Sequence, residues 1–264
     1  MYLLDQGTGP AVVLVPGLGC DHTMYRPQLE MLEGMRCLAV DLRGTGRSPG
    51  LQGVPEHDVL ALQAADIAAA LRERDVDSAH LVGISYGGAV VQQFLIRYPE
   101  LARSAVICDS LCDTGARTLG ERLQFWPARA QPAMLRAIPR RALARATRAA
   151  YPRWPEAGEA MAQVFLTAYL DDLVTQRRVV NRIHFEQKLH ECETPTLCLA
   201  GDHSKLAKSM MVRTHDALAH SEFHLIPNSF DPSSLCNPAA FTAHLQRWVQ
   251  AREAGLPLGQ PLMA

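Results

Sequence analysis

The sequence predicts an α/β fold: a mostly parallel sheet, helices on both faces, and a helical cap inserted between two strands. Three observations carry this prediction. Short apolar, β-branched runs alternate with longer stretches at helical spacing along most of the 264 residues. The alternation breaks once, between about Asp113 and Cys192. A Gly-x-Ser-x-Gly motif stands where one of the apolar runs gives way to a helical pattern. Buried strands separated by helices imply a parallel sheet covered on both faces.

In chain order, strands are expected at Ala11 to Val15, Met35 to Val40, Leu81 to Ile84, Ser104 to Cys108, Thr196 to Ala200 and Phe223 to Ile226. Each is a short apolar run without strict alternation, as a strand buried on both faces requires. After the second run, Pro55 and Glu56 mark a helix start, and Leu60, Ala64, Ile67 and Leu71 recur at helical spacing. A helix follows Ser85 with Val91, Leu95 and Tyr98 on one face, and Pro99 stops it. The stretch from 114 to 190 is helical in character, holds no strand pattern, and carries nine arginines between Ala116 and Arg153. An insertion there would lie over the carboxyl edge of the sheet, where open α/β folds bind ligands. The expected division is therefore a core of residues 1–113 and 191–264 with a cap of 114–190. The last twelve residues, rich in Gly and Pro, read as a loose tail.

A formal net charge of -1, with acids and bases mixed along the chain, argues against a nucleic-acid partner and for a small-molecule one. The seven cysteines are odd in number and scattered through apolar runs, which reads as reduced thiols of a cytoplasmic protein. No signal segment and no membrane span is expected. Neither a cofactor nor a metal is called for.

In "GISYGG", Gly83, Ser85 and Gly87 form Gly-x-Ser-x-Gly with a strand before and a helix after. A serine on so sharp a turn needs flanking residues without side chains. In "VPGLGCDH", after the first long strand, the backbone N–H of Leu18 could join that of Tyr86 in an oxyanion hole.

These motifs, with "DLRGTGRS", "PTLCLAGD" and "HLIPNSFDPSSLCNPAAF", resemble the α/β-hydrolase superfamily, particularly its capped bacterial esterases, haloperoxidase-like enzymes and enol-lactone hydrolases. The resemblance runs from about Met1 to Val249, and "MYLLDQG" looks like the second strand of that fold. It implies a Ser, Asp, His triad, and two of the three positions depart from it. Ser204 stands at the usual acid position after "TLCLAG", and Asp231 at the usual histidine position, with Pro238, Phe241, Leu245 and Trp248 opening and lining the last helix at the family spacing.

A serine hydroxyl is a poor nucleophile until a base takes its proton. An unperturbed Asp, at about 3.9, is too weak a base at neutral pH, but burial could raise it by up to about 3–5 units. Phe230, in place of a glycine, would help exclude water. Other candidates are His22, His184 and His203, each with a bland reading as a surface or packing residue, and Asp109, whose bland reading is a strand-end cap. Cys20 and Cys112 are candidate thiols that read better as packing. Arg140, Arg141, Arg145 and Arg148 could attract an anion, though a solvated helix surface explains them as well. Three functions are open: acyl hydrolysis of a small ester, lactone or thioester through Ser85; a non-hydrolytic lyase, cyclase or isomerase reaction using Ser85 and Asp231; and silent small-molecule binding.

Overall fold

The computed structural model describes residues 1–260. In chain order it runs β1 (Leu3–Gln6), β2 (Ala11–Val15), α1 (Arg26–Met31), β3 (Arg36–Val40), α2 (Val59–Arg72), β4 (Ala79–Ile84), α3 (Tyr86–Arg97) and β5 (Ala102–Cys108). Next come α4 (Leu119–Ala137), α5 (Arg140–Ala150), α6 (Pro155–Thr167), α7 (Leu170–Val180) and α8 (Glu186–Leu189). The chain then returns to the sheet with β6 (Thr196–Gly201), α9 (Lys205–Asp216), β7 (Ser221–Ile226), α10 (Ser233–Cys236) and α11 (Pro238–Glu253). Among the described residues the seven strands form one sheet in the order β1-β3-β2-β4-β5-β6-β7. All neighbours are parallel except β1, which pairs antiparallel with β3. The segment read as a second strand is thus the antiparallel edge.

The period of two in each strand separates two cores. Val13 and Val15 of β2, with Leu81 of β4 and Ile107 of β5, pack under α2 and α3. Val12, Leu14, Val82 and Val106 face the other way, toward Phe241, Leu245 and Trp248 of α11. Because every residue of β4 and β6 is buried, Leu81 to Ile84 and Leu197 to Gly201 read in sequence as unbroken runs without a polar side chain. The helical face expected at Leu60, Ala64, Ile67 and Leu71 is buried.

Three strands start earlier than their apolar pattern. β4 begins at Ala79 and β5 at Ala102 because a buried polar network replaces apolar contact there: His80 Nδ1 lies 2.7 Å from Ser104 Oγ, which also accepts from Trp248 Nε1 at 2.9 Å. β7 begins at Ser221 as an edge strand half open to solvent. The tail also differs from expectation. The Gly259 amide donates to Glu222 at 2.7 Å and Leu258 packs on the core, so the tail is tied down as far as it is described; residues 261–264 lie outside the described residues. No helix among the described residues is long and apolar enough to cross a membrane.

Candidate active site

In a parallel sheet, all the loops that follow the strands emerge on one edge. That topology gathers Leu18 after β2, Ser85 after β4, Asp109 after β5, Ser204 after β6 and Asp231 after β7.

Ser85 sits between β4 and α3 at φ 53°, ψ -115°, in a region L-residues rarely occupy. The turn closes so tightly that a Cβ on Gly83 would meet the Gly87 carbonyl, and one on Gly87 would meet the carbonyls of Val15 and Pro16. Backbone and side chain hold the turn: the Ser85 N–H donates to the Cys108 carbonyl at 2.9 Å, and Ser110 Oγ donates to the Ser85 carbonyl at 2.7 Å. The Tyr86 amide opens α3, and neither it nor the Leu18 amide is taken by another group among the described residues. The Leu18 loop is steadied from α7, where Gln176 Oε1 accepts from the Gly19 amide at 3.2 Å.

Ser85 Oγ donates to Asp231 Oδ2 across 3.4 Å, a long bond of the kind common before a ligand tightens a site. The Asp231 loop is clamped by residues of the helical insertion. Tyr151 Oη donates to the Asp231 carbonyl at 2.6 Å, and the neighbouring Phe230 lies edge-on to Tyr151 and stacked on Trp154. Burial of the carboxyl, followed by the charge of Asp109, pushes Asp231 up to about 8, against the pull of the Ser85 hydrogen bond and of Arg177.

Asp109 is engaged elsewhere. Its two carboxylate oxygens accept from the amides of Gly201, at 2.9 Å, and Ser233, at 2.7 Å, so it staples three loops together. Ser204 caps α9, accepting from the Ala207 amide at 3.1 Å. It borders the cavity but touches neither Ser85 nor Asp231. Ser204→Ala is therefore expected to cost about 1 kcal/mol of stability, the usual value of an N-cap, which denaturant unfolding checks.

The three candidate histidines are not brought to Ser85. His22 is pinned by Asp41, with Nδ1 at 2.7 Å from Oδ1 and its own amide donating to the same oxygen. His184 faces Asp113 across 3.3 Å, and His203 lies 2.6 Å from Asp202. Asp21, His22 and Asp41 lie close enough to hold a metal ion, but the Asp41 carboxylate is already committed to the amides of His22 and Arg47 and to the imidazole. The candidate thiols are buried. Burial and the charges of Asp21 and Asp231 push Cys20 up to about 12, and burial raises Cys112 as well, so neither is poised to react.

Two cavities of about 230 and 170 Å³ meet at the site, and Ser85, Asp231 and Arg177 line both. Leu18 borders the smaller, and Phe125, Leu111 and Met210 give the larger an apolar wall. A cleft of about 320 Å³ beside His224, His244 and Trp248 offers no hydroxyl or thiol nucleophile. Arg177 was missed by sequence reasoning, which weighed Arg140, Arg141, Arg145 and Arg148 instead. Of those, Arg140 donates to the carbonyls of Leu166 and Ala168, Arg148 pairs with Glu159, and none of the four lines either cavity. The signal was nonetheless present: Leu173, Arg177 and Val180 share one helical face, which places an arginine inside an apolar stripe.

Fold and site together define a protein with a serine elbow at the carboxyl edge of an α/β sheet. The model of the Alpha/beta hydrolase family matches residues 12–253, and the chain belongs to that family. A Mycobacterium tuberculosis protein named as a non-heme bromoperoxidase, BpoC, is 32% identical over 106 residues, 39% of this chain. That match spans only 39% of the relative's own length. Among solved structures, an esterase from Thermogutta terrifontis superposes with a TM-score of 0.80 at 23% identity, over 95% of this chain and 93% of that one. The enol-lactonase of Burkholderia xenovorans LB400 gives 0.78 at 19% identity, over 94% and 96%.

Proposed function

We propose that this protein is a serine-dependent acyl hydrolase of a small ester, lactone or thioester, with Asp231 serving as the base that histidine supplies elsewhere in the family. The observation that carries the reading is the contact of Ser85 Oγ with an Asp231 carboxyl whose affinity for a proton has been raised to about 8. A base is most effective when its pKa lies near the working pH, and this carboxylate meets that condition in mildly alkaline solution.

In the ionised form, Asp231 takes the hydroxyl proton as Ser85 Oγ bonds to the acyl carbon. The developing oxyanion accepts from the Leu18 and Tyr86 amides. When the tetrahedral intermediate collapses, the bond to the leaving oxygen or sulfur breaks and Asp231 returns the proton to it. Water then enters by the same route in reverse, giving its proton to Asp231, releasing the acid and restoring the Ser85 hydroxyl. The helical insertion supplies Tyr151, which positions the base, and Arg177; we read residues 114–190 as a cap that closes over the substrate.

A second reading is favoured by one observation. Near pH 7, burial and Asp109 keep the proton on Asp231, so the group at hand is an acid beside a serine hydroxyl. That pair suits a lyase, cyclase or isomerase that protonates a carbon or oxygen without an acyl-enzyme. An activated fluorophosphonate separates the two. Rapid covalent labelling at about pH 8.5, located at Ser85 by peptide mass and abolished in Ser85→Ala, is expected. A folded protein that stays unlabelled would sink the hydrolase.

A further inference from the structure

We infer that Arg177 is the recognition site for a carboxylate carried by the substrate, so that the compound turned over is a small acyl derivative of an organic acid retaining a free carboxylate. The inference names the substrate class of the site proposed above and rests on that placement of the reaction at Ser85.

Arg177 stands on α7 with Leu173 and Val180, and it lines both cavities beside Ser85 and Asp231. Its one hydrogen bond among the described residues is from Nε to the Ala128 carbonyl, at a long 3.3 Å. The terminal nitrogens of the guanidinium are left without a partner there. No carboxylate among the described residues pairs with it, although the charge of Asp231 is felt, and burial works against the charged form. Arg136, Arg148, Arg178 and Arg182 of the insertion each pair with an acid, and Arg129, which borders only the larger cavity, donates to the Thr114 carbonyl at 3.3 Å.

A guanidinium cannot give up its proton to relieve burial, so its charge persists and calls for an anion. Asp231 does not supply one near neutral pH, because its own proton stays on. The planar fork of an arginine matches a carboxylate with two parallel hydrogen bonds. The surrounding wall of Phe125, Leu111 and Met210 suits a short hydrocarbon link between that carboxylate and the scissile acyl group. The larger cavity, about 230 Å³, has room for a short link of this kind. An alternative role, in which Arg177 merely ties α7 to α4 through Ala128, would not make the site care about the charge of the ligand.

The test reads binding apart from turnover. Glutarate and its neutral diamide are titrated by calorimetry into the Ser85→Ala protein and the same protein carrying Arg177→Gln or Arg177→Lys, at constant ionic strength. Glutarate is expected to bind at least about tenfold more tightly than the diamide, to lose at least about tenfold in Arg177→Gln, and to keep part of that affinity in Arg177→Lys, which retains the charge. Equal binding of the two compounds, no binding of either, or glutarate binding unchanged in Arg177→Gln would each overturn the inference. Thermal unfolding identifies a variant that fails to fold, and Arg177→Lys then carries the comparison. Turnover adds a second readout in wild type: mono-p-nitrophenyl glutarate should exceed p-nitrophenyl butyrate in kcat/KM, and Arg177→Gln should shrink that ratio at least about tenfold. Because the calorimetric arm needs no reaction, its success with no ester turnover would retain the carboxylate site and reject the hydrolase, and the opposite pattern would do the reverse.

Discussion

Asp231→Asn is expected to lower kcat/KM for a short p-nitrophenyl ester by about 10²–10⁴-fold at about pH 9, and Ser85→Ala to remove the enzymatic rate altogether. The wild-type pH profile carries the sharper prediction. As free enzyme, Asp231 holds its proton until the pH approaches about 8, so kcat/KM should rise through that value and level off above it. A triad histidine near its ordinary value, about 6.5, would complete that rise more than a unit lower. In Asp231→Asn the alkaline limb should vanish along with the rate, because asparagine can accept a hydrogen bond from Ser85 but cannot take its proton. A limb centred near 6.5 that survives in Asp231→Asn would remove Asp231 from the mechanism and point to an imidazole that reaches Ser85 only with substrate bound. A rate that instead falls as the pH passes 8 would assign Asp231 the role of acid and favour the non-hydrolytic reading.

On the proposed mechanism, the two departures from the triad act as one change. A triad acid serves to orient and charge-balance an imidazole. With a carboxyl at the base position a second carboxylate at its side would raise the pKa further, and Ser204, neutral and turned to capping α9, adds no such charge. The acid that does raise Asp231 is Asp109, held by two amides in a place fixed by the fold. One buried carboxylate with committed hydrogen bonds thus tunes another that faces the cavity.

How far the sequence reaches can be read from these same residues. Strand positions were legible because two-sided burial forces continuous apolar runs, and the elbow was legible because Gly83 and Gly87 are dictated by contacts within a few ångströms of the turn. Asp231 was assigned to the base position by resemblance, from its spacing to Pro238. Distances across the site were not legible. Whether His22 could reach Ser85 depends on Asp41, a side-chain partner on another segment, and His203 is engaged by its chain neighbour Asp202 and by Arg153 of the insertion. Arg177 was hidden for the same reason: its neighbours in space come from α4, α7 and the loop after β7, and a run of arginines on α5 drew attention to a surface. Early strand starts were missed because His80 and Ser104 satisfy one another, which apolar patterning does not register.

The buried carboxyl also leaves a mark on stability, and its sign runs against the ordinary case. A folded-state value of about 8, raised from an unfolded value of 3.8, means that the native chain binds the Asp231 proton more tightly than the unfolded chain does. The stabilising contribution is complete below the unfolded value and is lost progressively as the pH rises toward 8, after which it changes no further. At about 1.36 kcal/mol per unit, and with the carboxyl partly open to the two cavities, the loss between about pH 5 and pH 9 comes to about 2–4 kcal/mol. Asp231→Asn removes that titration. The variant should therefore match wild type most closely near pH 5 and gain on it as the solution becomes alkaline, reaching a melting temperature higher by roughly 5–10 °C near pH 9. Taking the difference between the two proteins at each pH cancels the titration of groups that Asp231 does not influence and leaves that of Asp231 with its coupled neighbour Asp109. A difference that stays flat from pH 5 to 9 would show that the carboxyl ionises at little cost in the folded state, and with it would go the argument that an aspartate here can act as a base matched to mildly alkaline pH. On the proposed mechanism, a gain in stability bought with the loss of activity is the expected outcome, because the cost of burying an ionisable group beside Asp109 is what would make Asp231 basic enough to take the proton of Ser85.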